Sequence, residues 1–120
     1  MDPHEEFQQA FDALDVTMRA ALVFRYREGL PLAHVAQLVE RPVRKLGPEI
    51  DRVVAGLVDR GVLAGTDVPD PAKALATELD AMRGDPALTS FSLVRAVRAE
   101  HNRPGLVRGL VMRPFMRRFA

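Results

Sequence analysis

The chain contains no cysteine and no tryptophan, and a single tyrosine, Tyr26. Without cysteine there is neither a disulfide framework nor a thiolate metal site. Strand-favouring aromatics are scarce, with only six Phe beside Tyr26. Ala, Leu, Arg and Glu dominate the periodic segments instead, which predicts an all-α chain. No run of about 18 apolar residues occurs, so no membrane-spanning helix is expected. The N-terminal MDPHEEF is acidic and lacks an apolar core. It does not read as a signal peptide, and the expected location is the cytoplasm.

Catalytic constellations are missing as well. The only serines, Ser90 and Ser92, stand in no nucleophile motif, and no glycine loop for phosphate is present. His4, His34 and His101 are widely separated, so none belongs to a metal-ligand spacing. Glu5-Glu6 and the acidic turn from Asp67 to Asp70 lack the spacing of paired catalytic carboxylates or of a calcium loop. The expectation is a protein that is not an enzyme and takes no cofactor and no metal.

What is present is ordinary globular material, with 48% apolar and 28% charged residues over 120 positions. That length suits one domain, or one small domain with an appended element. The net charge of +1 hides an asymmetry. Residues 1–60 carry eight basic residues against ten acidic, and residues 61–120 carry nine against six. The last 30 residues hold seven Arg against the single Glu100, so attraction for polyanions is strongest at the C-terminus.

Helical spacing recurs along the chain. Asp2-Pro3 opens a helix as cap and first residue, followed by Phe7, Phe11 and Leu14 on one face, ending near Asp15. A second helix begins at Val16 or Thr17 and carries Met18, Ala21, Leu22 and Phe24 to Tyr26, stopped by Gly29 with Pro31 beyond. A short helix is expected from Leu32 to Val39, then a turn over Glu40 to Val43, since Pro42 disfavours the helical region for Arg41. The next helix has the cleanest period: Leu46, Ile50, Val53, Val54, Leu57 and Val58, closed by Gly61. Pro48 is tolerated in a first turn, so this helix is expected to start at about Leu46 or Gly47. After the Gly65–Pro71 linker, helices are expected from Pro71 to about Arg83 and from Thr89 to His101, the latter with Phe91, Val94 and Val97 in register. One more short helix is expected in the tail, broken or kinked at Pro114.

The segment from Leu14 to Leu57 resembles region four of extracytoplasmic-function sigma factors, without a gap. The residues that carry the likeness are MRAALVFRYREGLPLAHVAQLV, then RPV, then Leu46, Ile50 and Arg52. A weaker resemblance, of LVDRGVL, is to winged-helix regulators entering their first wing strand, although TDVPDPAK offers no returning strand. The sigma resemblance implies a helix-turn-helix core of three to four helices within a domain over 1–64. The helical spacing beyond the linker adds an extension over 71–120, expected to pack on the first domain or to mediate dimerisation. The resemblance also implies binding to promoter DNA and docking on RNA polymerase. Carried over by position, the DNA-facing residues are Arg44, Lys45, Glu49 and Arg52. Departures from the family pattern are Gly47, Pro48 and Glu49, where basic or hydroxyl residues are usual. Glu40 stands where a turn glycine is usual, and a left-handed conformation there would cost roughly 1–2 kcal/mol.

Two functional expectations follow. One is a transcription regulator that reads DNA through the helix beginning near residue 46. The other is a protein-interaction module on the same scaffold, binding RNA polymerase, a regulator or a second copy without reading DNA. From Arg44 to Arg60 there are four basic and three acidic residues, a thin margin for gripping phosphate. The basic tail, Arg103, Arg108, Arg113, Arg117 and Arg118, is a candidate for contact with a polyanion or a protein partner.

Overall fold

Short polar side chains set four of the helix starts. Asp2 caps α1 (Pro3–Asp12) by accepting from the His4 amide at 3.0 Å, and Asp15 caps α2 (Val16–Leu22) through the Met18 amide at 2.8 Å. Two further helices, α3 (Leu32–Leu38) and α4 (Val43–Asp59), begin at Pro31 and Pro42 with no side-chain cap. Asp70 and Thr89 then cap α5 (Pro71–Ala81) and α6 (Ser90–His101). The computed structural model describes residues 2–63 and 70–102, and among them the chain is all-α, with no strand. The expected tail helix, with Arg103, Arg108, Arg113, Arg117 and Arg118, lies outside the described residues.

Among the described residues three turns need a left-handed residue, and the sequence supplies glycine at two of them. Gly29 (φ 73°) ends the helical stretch that continues α2 through Arg27, and Gly61 (φ 69°) follows α4. The third is Glu40, at φ 56°. There the Arg41 amide donates to the Ala36 carbonyl at 3.0 Å and the Glu40 amide to the Gln37 carbonyl at 3.3 Å. This is the glycine-type helix stop, with glutamate in the glycine position. The conformation is the one the sequence pattern anticipates for this turn.

The expected second helix divides in two. After Leu22 the backbone widens without a break into a π-helical stretch, Val23–Arg27. Its closing bond runs from the Glu28 amide to the Val23 carbonyl, five residues back, at 3.0 Å. α1 is shorter than its spacing suggests, stopping at Asp12 so that Asp15 is free to cap α2. α4 starts at Val43, three residues earlier than anticipated, which moves Pro48 into its second turn. In α6 the core-facing residues are Leu93 and Val97, whereas Phe91 is 71% exposed and has the Arg95 guanidinium 5.6 Å from its ring centroid.

Everything packs around α2 and the π stretch. Ala20, Ala21, Leu22 and Val23 are fully buried and Phe24 nearly so, a run with no solvent-facing side. α5 lies along the π stretch, α6 crosses α2, and α3 and α4 close the remaining sides. A single core cluster draws residues from all six helices, with Phe7 and Phe11 of α1 stacked at 5.9 Å between ring centroids. Polar ties also cross long distances in sequence. His4 Nδ1 lies 2.6 Å from Oε1 of the buried Glu78, joining α1 to α5. Arg27 donates through Nη2 to the Leu88 carbonyl at 2.8 Å, fastening the π stretch to the 3-10 turn Pro86–Leu88. Each fully buried large apolar side chain contributes about 1.5–3 kcal/mol, so the packed run outweighs any surface pair.

Two measurements check this account. Glu40→Gly and Glu40→Ala remove the same side-chain contacts, but only glycine relieves the left-handed backbone. Urea denaturation is expected to find the Gly variant more stable than the Ala variant by about 1 kcal/mol, the reverse of the usual helical ranking. Burial raises the Tyr26 pKa above its ordinary 10.0, Asp51 adds to the rise and Arg25 opposes it. The folded state therefore holds the phenol proton more tightly than the unfolded chain does. Stability from this group is full below pH 10 and is lost as pH climbs through the folded pKa. Because Tyr26 is the sole tyrosine, phenolate absorbance is expected to rise only at a pH above the value of free tyrosine.

Candidate nucleic-acid interface

α4 is the longest described helix and the most strictly two-faced. Leu46, Ile50 and Leu57 are buried against the core, with Val53, Val54 and Val58 partly so. The opposite face presents Arg44, Lys45, Pro48, Asp51, Arg52 and Ala55 to solvent. Arg44, Pro48 and Arg52 follow each other at i, i+4 and i+8 and so form one line along the helix, with Lys45 beside the first. Val43, 45% exposed, stands at the head of the same face. All three cations lie without an ion-pair partner among the described residues. Arg44 and Lys45 sit in the first turn of the helix, where the helix dipole also favours an anion, and Arg52 lies two turns beyond Arg44.

Glu49 occupies a different place from the other three sequence candidates. It is half-buried, and both its carboxylate oxygens accept from Arg41 Nη1, at 3.1 and 2.9 Å. The pair braces the turn between α3 and α4 and cancels the Glu49 charge locally. Asp51 is exposed at the edge of the face and is the one acidic residue beside Arg44, Lys45 and Arg52 that lacks an ion pair among the described residues. The balance on the N-terminal half of α4 is therefore more positive than the plain count of charges suggests.

The α3–α4 packing explains another departure. Gly47 is half-buried, and a Cβ built on it would sit 3.3 Å from Leu32 Cδ2 of α3. Together with Ala36, 6% exposed, it keeps the crossing narrow. Gly47 therefore belongs to the helix–helix contact, not to the exposed face. His34 is exposed on α3, and no cluster that could hold a metal occurs among the described residues.

Behind the face lies an open cavity of about 320 Å³ lined by Leu14, Asp15, Met18, Glu49, Arg52 and Val53. Its two carboxylates are already engaged, Asp15 with the Met18 amide and Glu49 with Arg41. No protein-family model, curated protein or solved structure matches this chain. The function has to be argued from the site itself.

Sequence reasoning found the exposed cations but missed two residues that shape their surroundings. Arg41 was legible only as part of a turn, because its partner lies eight positions on and across that turn. Glu40 was legible as a strained position but not as a contact. Its Oε1 lies 2.9 Å from His101 Nδ1, and its Oε2 lies 3.8 Å from Arg98 Nε, both from the far end of α6. No spacing rule links positions 61 residues apart.

Pro48 provides a test of the helix that carries the site. It cannot donate to the Arg44 carbonyl, and its ring crowds that carbonyl. Pro48→Ala restores the bond and is expected to raise stability by about 1–3 kcal/mol in chemical denaturation. The exposed charges stay unchanged, so the gain is expected without any change in net charge or in heparin retention.

Proposed function

We propose that the chain is a transcription regulator of the sigma-like kind that binds duplex DNA through α4, with α3, the Glu40 turn and α4 acting as a helix-turn-helix. In that motif the second helix lies in the major groove and its N-terminal residues reach the base edges. The observation that carries the reading is the exposed trio Arg44, Lys45 and Arg52 along one face of α4, without ion-pair partners among the described residues, with Glu49 drawn aside by Arg41. Arg44 and Lys45 are suited to guanine edges or phosphates, and Arg52, two turns beyond Arg44, to phosphate. The resemblance of residues 14–57 to sigma region four supports the same role, with RNA polymerase as the further partner it implies.

A second reading has one observation in its favour. Phe91 stands 71% exposed on α6 and suits contact with another protein or a second copy of the chain. On that reading the scaffold serves protein interaction and does not read DNA.

Fluorescence anisotropy with a random-sequence duplex at several salt concentrations separates the two. Affinity is expected to fall steeply with salt, and Arg44→Ala or Arg52→Ala each to reduce the log–log salt slope by about 1. Failure to bind duplex at low salt, with a native mass above that of the monomer, would favour the protein-interaction module and end the DNA reading.

A further inference from the structure

Pro48 is the residue of α4 that weakens its own helix. Inside the helix it removes one backbone hydrogen bond and crowds the Arg44 carbonyl. Proteins break such local rules chiefly at functional sites. Core packing does not require the proline, because it is exposed. Its neighbours all turn elsewhere: Leu46 and Ile50 are buried, Gly47 faces Leu32 of α3, and Glu49 is held by Arg41. Pro48 alone is exposed among residues 46–50. The middle of the line from Arg44 to Arg52 is therefore a bare apolar ring.

Against base edges such a ring is selective. In the major groove guanine, adenine and cytosine present donors and acceptors, which lose water beside a pyrrolidine ring and gain no hydrogen bond in return. Thymine presents its C5-methyl group there, an apolar surface. Burying that methyl against the ring is favourable, and proline has no rotamer freedom to lose. Pro48 lies four residues beyond Arg44, about 6 Å along the helix axis. That is less than two base steps of about 3.4 Å each.

We propose that Pro48 is a specificity-determining residue of α4, which reads thymine through its C5-methyl group within two base pairs of a guanine read by Arg44. The proposal rests on the DNA reading of α4 and names part of the sequence it takes. Arg44, Lys45 and Arg52 supply the polar contacts, and Pro48 rejects bases whose polar edges it cannot satisfy. The proline thus lowers the stability of the helix and raises its selectivity.

The test starts with selection of a site by the full chain from a randomised duplex. Fluorescence anisotropy then compares that site with thymine or with deoxyuridine, which lacks only the C5-methyl group, at the selected position. The wild type is expected to bind the deoxyuridine duplex about three- to tenfold more weakly. Pro48→Gly removes the ring, keeps every charge and is better tolerated in a helix than proline. It is expected to keep native helicity and to bind the two duplexes equally. Wild-type binding that selects no thymine, or that is indifferent to the methyl group, overturns the proposal and leaves the DNA reading of α4 in place. The same holds if Pro48→Gly keeps the full discrimination. A wild type that binds no duplex at low salt ends the DNA reading, and this proposal with it.

Discussion

The run from Ala20 to Phe24 has no face toward solvent, and the rest of the fold follows from that. A helix apolar on all sides must be surrounded, and one neighbour cannot do it. α5 covers the π stretch, α6 covers α2, and α3 and α4 close the other sides, so the N-terminal and C-terminal helices share one core. The π widening at Val23–Arg27 shifts the following side chains around the axis. It lets Phe24 stay in the core while Arg27 turns toward Glu28 and the Leu88 carbonyl.

The turn at Glu40 is where local and tertiary demands meet. A glycine would satisfy the left-handed backbone at less cost. Glutamate instead gives that position a carboxylate, which α6 reaches through His101 and Arg98. Exposed pairs of this kind are worth little individually, about 0–1 kcal/mol. Their consequence is geometric: they set where α6 ends relative to α4. A neighbouring pair, Arg41 with Glu49, does the same for the head of α4 and leaves Arg44, Lys45 and Arg52 as the cations that face outward.

Much of this was readable from spacing and capping. The Asp2-Pro3 and Asp70-Pro71 starts, the Gly29 and Gly61 stops, and the apolar period from Leu46 to Val58 all name helices through short-range rules. Short-range rules failed where a longer-range interaction decides. Pro48 argued for a late start to α4, yet packing of Leu46 and Ile50 on the core holds the helix from Val43 and keeps the proline inside. Phe91 looked like a core residue by register, but Leu93 and Val97 point inward and leave it to Arg95. In the site, three of the four sequence candidates stand exposed on one helix, and Glu49 is set apart by a partner from across the turn.

By itself the sequence determined the helical class, most of the helix ends and the residues with a cationic face to offer, because periodicity, caps and breakers act within one or two turns of the chain. Only the tertiary structure decided which charges remain available and what stands next to them. Arg41 with Glu49, His4 with Glu78 and His101 with Glu40 are pairs of residues on different elements. Their meeting depends on how all the helices wrap the buried run at Ala20–Phe24, and that is a property of the packed core as a whole.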